Sequence, residues 1–161
     1  RGLMGYTSRF LTLTKGTGVI NRIFHGYGKF EGEMDGRKNG ALISMANGKA
    51  VAFAIFNLQA RGEMFVTHND PVYEGMIVGL APKPGDMIIN VMKGKQLTNM
   101  RTQGTDENVV LTPVRQMSIA EQLSMLNTDE ALEITPKSLR LRKAILNPTD
   151  RKKNEKSGTP L

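Results

Sequence analysis

The sequence predicts an α+β protein, mostly β, built from short strands with one or two short helices. Three observations carry that expectation. Short runs rich in β-branched and apolar residues recur between turn signals such as Asn69-Asp70-Pro71 and Pro82-Lys83-Pro84-Gly85-Asp86. Ser118-Ile119-Ala120-Glu121 has the spacing of a capping box, and Asn147-Pro148 reads as a cap followed by proline at the first helical position. The chain has 161 residues, 39% of them hydrophobic, which suffices for a core in one compact domain or one domain plus part of another.

In chain order, residues 3–13 read as an amphipathic helix with Leu3, Phe10 and Leu13 on its stripe, stopped by Gly16 and Gly18. Val19 to Tyr27 reads as a strand. A helix and one strand cannot bury both their apolar faces alone, so this opening resembles the end of a larger α/β unit. Gly28 to Lys38 is polar and glycine-rich, a linker or exposed loop. Ala41–Ala46 and Lys49–Phe56 flank Asn47-Gly48, a dipeptide suited to a type I′ turn because both central residues need positive φ, and predict a β-hairpin. Further strands are expected at Glu63–Val66, Met76–Leu80, Met87–Val91 and Val109–Leu111.

The capping box opens a helix to about Leu126, with Ile119, Leu123 and Leu126 expected on its buried side. Glu133–Thr135 is a strand candidate. Ser138–Lys143 alternates leucine and arginine, giving a strand with an apolar face (Leu139, Leu141) and a basic one (Arg140, Arg142), or a helix continuing through Leu141 and Ile145. A short basic helix follows Asn147, and Ser157–Leu161 is expected to be disordered.

Composition narrows the function classes. With no cysteine, disulfides and thiolate metal sites are excluded, and a reducing, cytoplasmic location fits. No apolar run reaches the roughly 20 residues of a membrane span, and there is no signal-peptide layout. The chain opens on Arg1, as a piece of a longer protein would. Net charge is +7, and it is unevenly placed. Residues 1–136 hold 14 basic and 13 acidic residues, whereas 137–161 hold 8 and 2. A polyanion partner or a solvated basic tail accounts for that surplus.

Catalytic signals are missing. No G-x-x-x-x-G-K-[ST] occurs, so nothing cradles nucleotide phosphates by that route. His25 and His68 lack ligand-spaced neighbours, Glu31, Glu33 and Asp35 lack a calcium-loop pattern, and Asp70 beside His68 has neither a nucleophile nor an oxyanion hole to serve. The segment Lys93–Thr105 differs. It carries three basic residues, no acid, several amides and hydroxyls and few apolar anchors, in a loop longer than compact domains usually tolerate without function. Lys93, Lys95 and Arg101 can neutralise phosphates; Gln96, Asn99 and Gln103 can bond base edges or 2′-hydroxyls, and Leu97 or Met100 can pack on a base or sugar. A partner-free surface loop is the competing reading. Arg140, Arg142, Lys143, Arg151, Lys152 and Lys153 form a second candidate surface, suited to a phosphate backbone without sequence readout.

Collinear motifs then point to a family. Arg1-Gly-Leu-Met-Gly5 with Phe10, Thr12, Thr14 and Gly16-Thr-Gly18 resembles the second half of domain V of elongation-factor-G-like proteins. Asn39–Ser44, Gly48–Phe53, Val72-Tyr-Glu-Gly75, Lys95–Arg101, Gly104–Glu107, Glu133–Pro136 and Leu139–Lys143 extend the match, and the chain resembles the C-terminal region of BipA/TypA translational GTPases over essentially its whole length. Variation falls at Pro82-Lys83-Pro84 and around Arg115–Met125.

The resemblance implies three parts: residues 1–28 as the helix and strand closing a ferredoxin-like domain V, 29–149 as the family's β-rich C-terminal domain, and 150–161 as a basic, partly disordered tail. It implies a non-catalytic ribosome-binding module, monomeric in its parent. The long loop, with Thr98, Asn99 and Met100 shaping the contact, would approach large-subunit rRNA and the acceptor end of an A-site tRNA. DNA and membrane are not implied partners. GTP hydrolysis, GTP and magnesium would belong to the parent's N-terminal part, with a role in stress-related translation or ribosome assembly; no cofactor is expected in this segment. The alternative is a structural coupling domain that braces neighbouring domains or a protein partner without touching RNA.

Overall fold

The computed structural model describes residues 3, 6–30, 32, 37–94 and 110–157. Its architecture is α+β with three small sheets, as expected. The largest contains β3 (Glu63–Met64), β5 (Ile77–Leu80), β1 (Ala41–Ser44) and β6 (Met87–Ile89) in that order. The pairs β3–β5 and β5–β1 are antiparallel, β1–β6 is parallel, and the register slips between Leu42 and Ile43.

All four residues of β1 and of β5 are buried, because both faces of this sheet are covered. Leu42 and Val78 point into one cluster with Ile55, Val66, Val72, Ile89 and Val91. Their neighbours Ala41, Ile43 and Ile77 point the opposite way, against Leu141. A strand's two-residue alternation therefore feeds two cores. Each large aliphatic side chain so buried contributes about 1.5–3 kcal/mol.

The first core is closed by helix α2 (Ala52–Gln59), and here the expected hairpin is overturned. Neither Asn47 nor Gly48 has positive φ, so no type I′ turn forms. The Asn47 Oδ1 instead accepts the Glu74 N–H at 2.9 Å. Strand β2 (Gly48–Lys49) pairs with β4 (Pro71–Val72), a strand the sequence reading did not foresee, and the chain turns at Val51 into α2. Both edges of β1 are already occupied by β5 and β6, so the 49–56 segment has no edge to pair with. Its period-2 look comes from alanines, which are also strong helix formers. In the helix, Ala54, Ile55 and Leu58 fall toward the core. No side chain of the preceding residue caps α2; the His68 Nδ1, from another loop, accepts the Ala52 N–H at 3.2 Å.

The second core is covered by the hairpin β7 (Glu130–Ile134) and β8 (Leu139–Lys143), whose pairing runs from Glu130↔Lys143 to Ile134↔Leu139. An antiparallel bridge from Met76 to Arg142 and the Lys143 N–H donating to Gly75 O at 2.9 Å tie it to the main sheet. The strand reading of Ser138–Lys143 holds and the helical one does not. Helix α3 (Ile119–Ser124) has the expected capping box: Glu121 N–H donates to Ser118 Oγ at 3.3 Å and Ser118 N–H to Glu121 Oε2 at 2.9 Å. Its buried residue is Gln122, however, while Ile119 and Leu123 are 49% and 46% exposed. Only Leu126 of the expected stripe packs on the core, just beyond the helix.

Helix α4 (Pro148–Ser157) begins as foreseen, with Asn147 Oδ1 accepting the Thr149 N–H at 2.8 Å. Ser157 is its last residue rather than part of a tail; residues 158–161 lie outside the described ones. At the other end, helix α1 (Tyr6–Leu13) matches most of the first expected helix. The strand expected at 19–27 does not form: the backbone has no partner strand among the described residues, and Val19, Ile23, Phe24 and Tyr27 are exposed. Arg22 holds this segment to α1 by donating to Thr7 Oγ1 at 3.1 Å. Val110 and Leu111 are likewise not in a strand, although Leu111 packs against the first core; Val109 lies outside the described residues.

Candidate nucleic-acid interface

The two groups of candidate residues fare differently. Of the loop, Lys93 is described and exposed, just after the turn that ends β6 and buries Val91. Lys95, Gln96, Thr98, Asn99, Met100, Arg101 and Gln103 lie outside the described residues.

The basic C-terminal side chains are all described, and local structure sorts them. Residues Leu139, Leu141 and Lys143 share one face of β8, so Lys143 falls on the buried side, at 1% exposure. Its ammonium donates to Asp129 Oδ2 at 2.7 Å and Glu130 Oε1 at 3.0 Å and pairs with Asp86 Oδ2 at 2.5 Å. Burial alone would lower its pKa; the bonds to Asp129 and Asp86 and the charge of Glu130 outweigh this and hold it above the ordinary lysine value. Burial likewise pushes the Asp86 carboxyl up, but the Ala41 N–H and the Lys143 ammonium carry it below the usual aspartate value. Lys143 is therefore not a free phosphate ligand, contrary to its place among the candidates: its charge faces three carboxylates inside the fold.

Arg140 and Arg142 occupy the opposite face of β8 and are half-buried. Arg140 reaches Glu133 Oε1 at 3.4 Å, a partly exposed pair of small worth. Glu133 also accepts the Tyr73 hydroxyl at 2.5 Å; burial first, then this carboxylate, pushes the phenol up to about 12. Arg142 donates to the carbonyls of Lys143 and Ala144 at 3.2 and 3.4 Å, and Arg151 to those of Ile145 and Leu146 at 3.1 and 2.7 Å. Carbonyls orient these guanidinium groups without cancelling their charge.

Helix α4 carries the rest. It has no buried residue, so no apolar stripe fixes it to the core. Lys152 and Lys156 are exposed and make no salt bridge among the described residues; Lys153 pairs with Asp150 at 3.4 Å, both side chains largely exposed. Lys137, exposed in the turn between β7 and β8, is also unpaired among the described residues. Lys137 and Lys156 were not among the sequence candidates, though both stand in the same basic stretch that flagged the others.

Asp70 and His68 each serve a backbone N–H, while Glu31, Glu33 and Asp35 lie outside the described residues. Asp70 Oδ2 accepts the Thr67 N–H at 2.7 Å and His68 accepts from α2, so the two do not bond each other. Among the described residues no three His, Asp or Glu side chains are grouped to hold a metal ion, and no helix is long and apolar enough to cross a membrane.

Fold and surface together define an α+β module whose distinguishing chemistry is displayed positive charge on β8 and α4. The sequence model of the TypA/BipA C-terminal domain matches residues 39–148, and the chain belongs to that family. It is similar to the large ribosomal subunit assembly factor BipA of Buchnera aphidicola, with 46% identity over 162 residues, covering 100% of this chain and 27% of that protein. The proteins of the same name from Salmonella typhimurium (47% over 154 residues, 95% of this chain, 25% of that protein) and Haemophilus influenzae (42% over 160 residues, 99% and 26%) are also similar to it. The chain spans about a quarter of the length of these curated relatives.

Proposed function

We propose that this chain is a non-catalytic ribosome-binding module of a translational GTPase, acting in the cytoplasm and contacting large-subunit rRNA and the acceptor end of an A-site tRNA. The observation that carries the reading is α4, a ten-residue helix polar on every side, beside guanidinium groups that carbonyls hold in place without neutralising. A helix with no core contact of its own presents charge to a partner, and the relatives' name supplies a ribosomal one. The loop from Lys93 to Gln103 is the second contact, through the residue types identified above. GTP and magnesium would be held by another part of the longer protein, and a role in stress-related translation or subunit assembly would belong to that whole.

Co-sedimentation with ribosomes tests this, comparing the longer GTP-bound protein with versions lacking residues 94–103 or carrying Lys152→Ala and Lys156→Ala. Lost binding in folded variants supports the RNA reading. Unchanged binding in both would sink it.

One observation favours the alternative of a bracing domain. Val19, Ile23, Phe24, Tyr27 and Phe30 are 73–99% exposed, an apolar run that another protein surface would cover. In that reading the chain touches no RNA and the basic face is only solvated.

A further inference from the structure

Helix α2 stands between the two places where the chain leaves the fold for the Lys93–Gln103 loop and returns from it. Packing fixes the departing end. Val91 is fully buried in the first core, Met92 packs against that core, and the Val51 N–H at the start of α2 donates to Val91 O at 2.9 Å. One side chain fixes the returning end. Gln59, the last residue of α2, donates from Nε2 to Thr112 O at 3.0 Å, and its Oε1 accepts the Thr112 N–H at 3.2 Å. Among the described residues these two bonds are the only ones that residues 110–113 make, and their packing on the core comes from Leu111. Pro113 has no N–H to add a further backbone tie.

A carboxamide suits this task because it carries a donor and an acceptor side by side, as the peptide group of a neighbouring strand does. The helix behind it is anchored by Ala54 and Ile55, both buried, and by Leu58 against the first core. At 1.5 Å per residue, α2 rises about 12 Å from Val51 to Gln59. One packed element thus holds both flanks of the loop, one at each of its ends.

We propose that Gln59 is a positioning residue for the RNA contact of the Lys93–Gln103 loop, fixing Thr112 to α2 before RNA arrives. The inference rests on the RNA reading above and adds to it a residue outside both basic stretches. A loop whose flanks are set in advance loses less freedom on binding, and affinity rises by that difference. Gln59 acts here through the backbone of Thr112, without touching RNA.

The test joins a local measurement to a functional one. Hydrogen exchange at the Thr112 amide of this chain should quicken in Gln59→Met, which keeps the length of the side chain and removes both bonds. It should stay at the wild-type rate in Asn57→Ala, because the Asn57 amide bonds within α2, to Phe53 O at 2.8 Å. In the longer GTP-bound protein, ribosome affinity from co-sedimentation should fall about fivefold in Gln59→Met, as for the net contribution of one hydrogen bond, and hold steady in Asn57→Ala. Repeating Gln59→Met in protein lacking residues 94–103 separates positioning from any other role, since with no loop to place it should have no further effect. A loss that persists there would make Gln59 a direct contact or a residue of the fold, and overturns the proposal. Unchanged exchange at Thr112 overturns it too. If the loop deletion does not fold, Lys95→Ala with Arg101→Ala replaces it, and the effect of Gln59→Met should shrink in that background; if Gln59→Met does not fold, Gln59→Ala replaces it. A deletion that weakens binding while Gln59→Met does not leaves the RNA reading standing and removes Gln59 from it. A deletion without effect removes the loop contact and the positioning role together.

Discussion

Arg37 and Glu130, 93 residues apart in sequence, form a two-pronged ion pair with N–O distances of 2.7 and 3.0 Å. The guanidinium also donates to Met125 O and Asn39 O, while Glu130 accepts from Asn127 N and from Lys143. Asp86 completes the group, accepting the Ala41 N–H on one oxygen and facing Lys143 with the other. The start of β1, the turn before β6 and the Glu130↔Lys143 end of the β7–β8 pairing thus meet at one knot of two cations and three carboxylates, Asp129 being the third. Such a group positions elements more than it adds net energy, because its members lose hydration on burial.

Removing one member should be costly for the same reason. Lys143→Met would leave Asp86, Asp129 and Glu130 facing one another with Arg37 as the remaining cation. A loss of about 3–5 kcal/mol in urea unfolding is expected, the range for breaking a buried pair. A loss under about 1 kcal/mol would show that the carboxylates find other partners and that the knot does not hold the hairpin.

The same knot sets the pH limits of the fold. Asp86 titrates lower in the folded chain than its ordinary 3.8, so its contribution is complete above that value and disappears as pH falls through the depressed one. Lys143 titrates above 10.5; its contribution is complete below 10.5 and is lost as pH rises through the raised value. Tyr73, raised from 10.0 to about 12, has the same sign, with stability lost across that interval. Thermal melting against pH should therefore show a plateau that falls at both ends. Asp86→Asn should flatten the acid limb and Tyr73→Phe part of the alkaline one; limbs unchanged in both variants would refute these assignments.

Gly75 offers a backbone test. It sits at φ +83° between β1 and β8, donating to Ser44 O at 3.0 Å and accepting from Lys143 N at 2.9 Å. A Cβ there would lie 2.7 Å from the Leu146 Cα, backbone that cannot swing aside. Gly75→Ala should destabilise by more than the roughly 1 kcal/mol of the left-handed conformation alone. A melting temperature equal to wild type would mean that the β8–α4 connection is slack.

Local signals and long-range ones were legible to different degrees. The capping box of α3 and the Asn147 cap of α4 act within three residues, and both were readable. The strands β3, β5 and β6 also lie within their expected runs. The hairpin at Asn47-Gly48 failed because β1 already had partners on both sides, a fact set by residues 77–80 and 87–89. Lys143 was misplaced for a related reason. Alternation put it on the Leu141 face, but nothing local said that Asp86 and Asp129 would wait there. For Gln122 the helix register gave no warning either, since Ile119 and Leu123 look like the buried pair. The family resemblance was carried by collinear motifs and did not depend on any of these local errors.

The separation of buried from displayed charge gives the last prediction. Lys143 and Lys152 both belong to the basic stretch of the sequence, but one is enclosed and the other is exposed on a helix without core contacts. If α4 contacts phosphates, Lys152→Ala with Lys156→Ala should reduce the slope of log K for RNA against log salt by about 1.4–1.8, at roughly 0.7–0.9 per phosphate. Stability should move by no more than about 0.5 kcal/mol per substitution, as for exposed positions generally. Lys143→Met should do the reverse, lowering stability while leaving the salt slope of the folded fraction unchanged. Measuring both quantities on both variants separates charge that holds the fold from charge that meets a partner. A slope unaffected by the α4 pair would move the phosphate contacts to Arg140, Arg142 and the Lys93 loop.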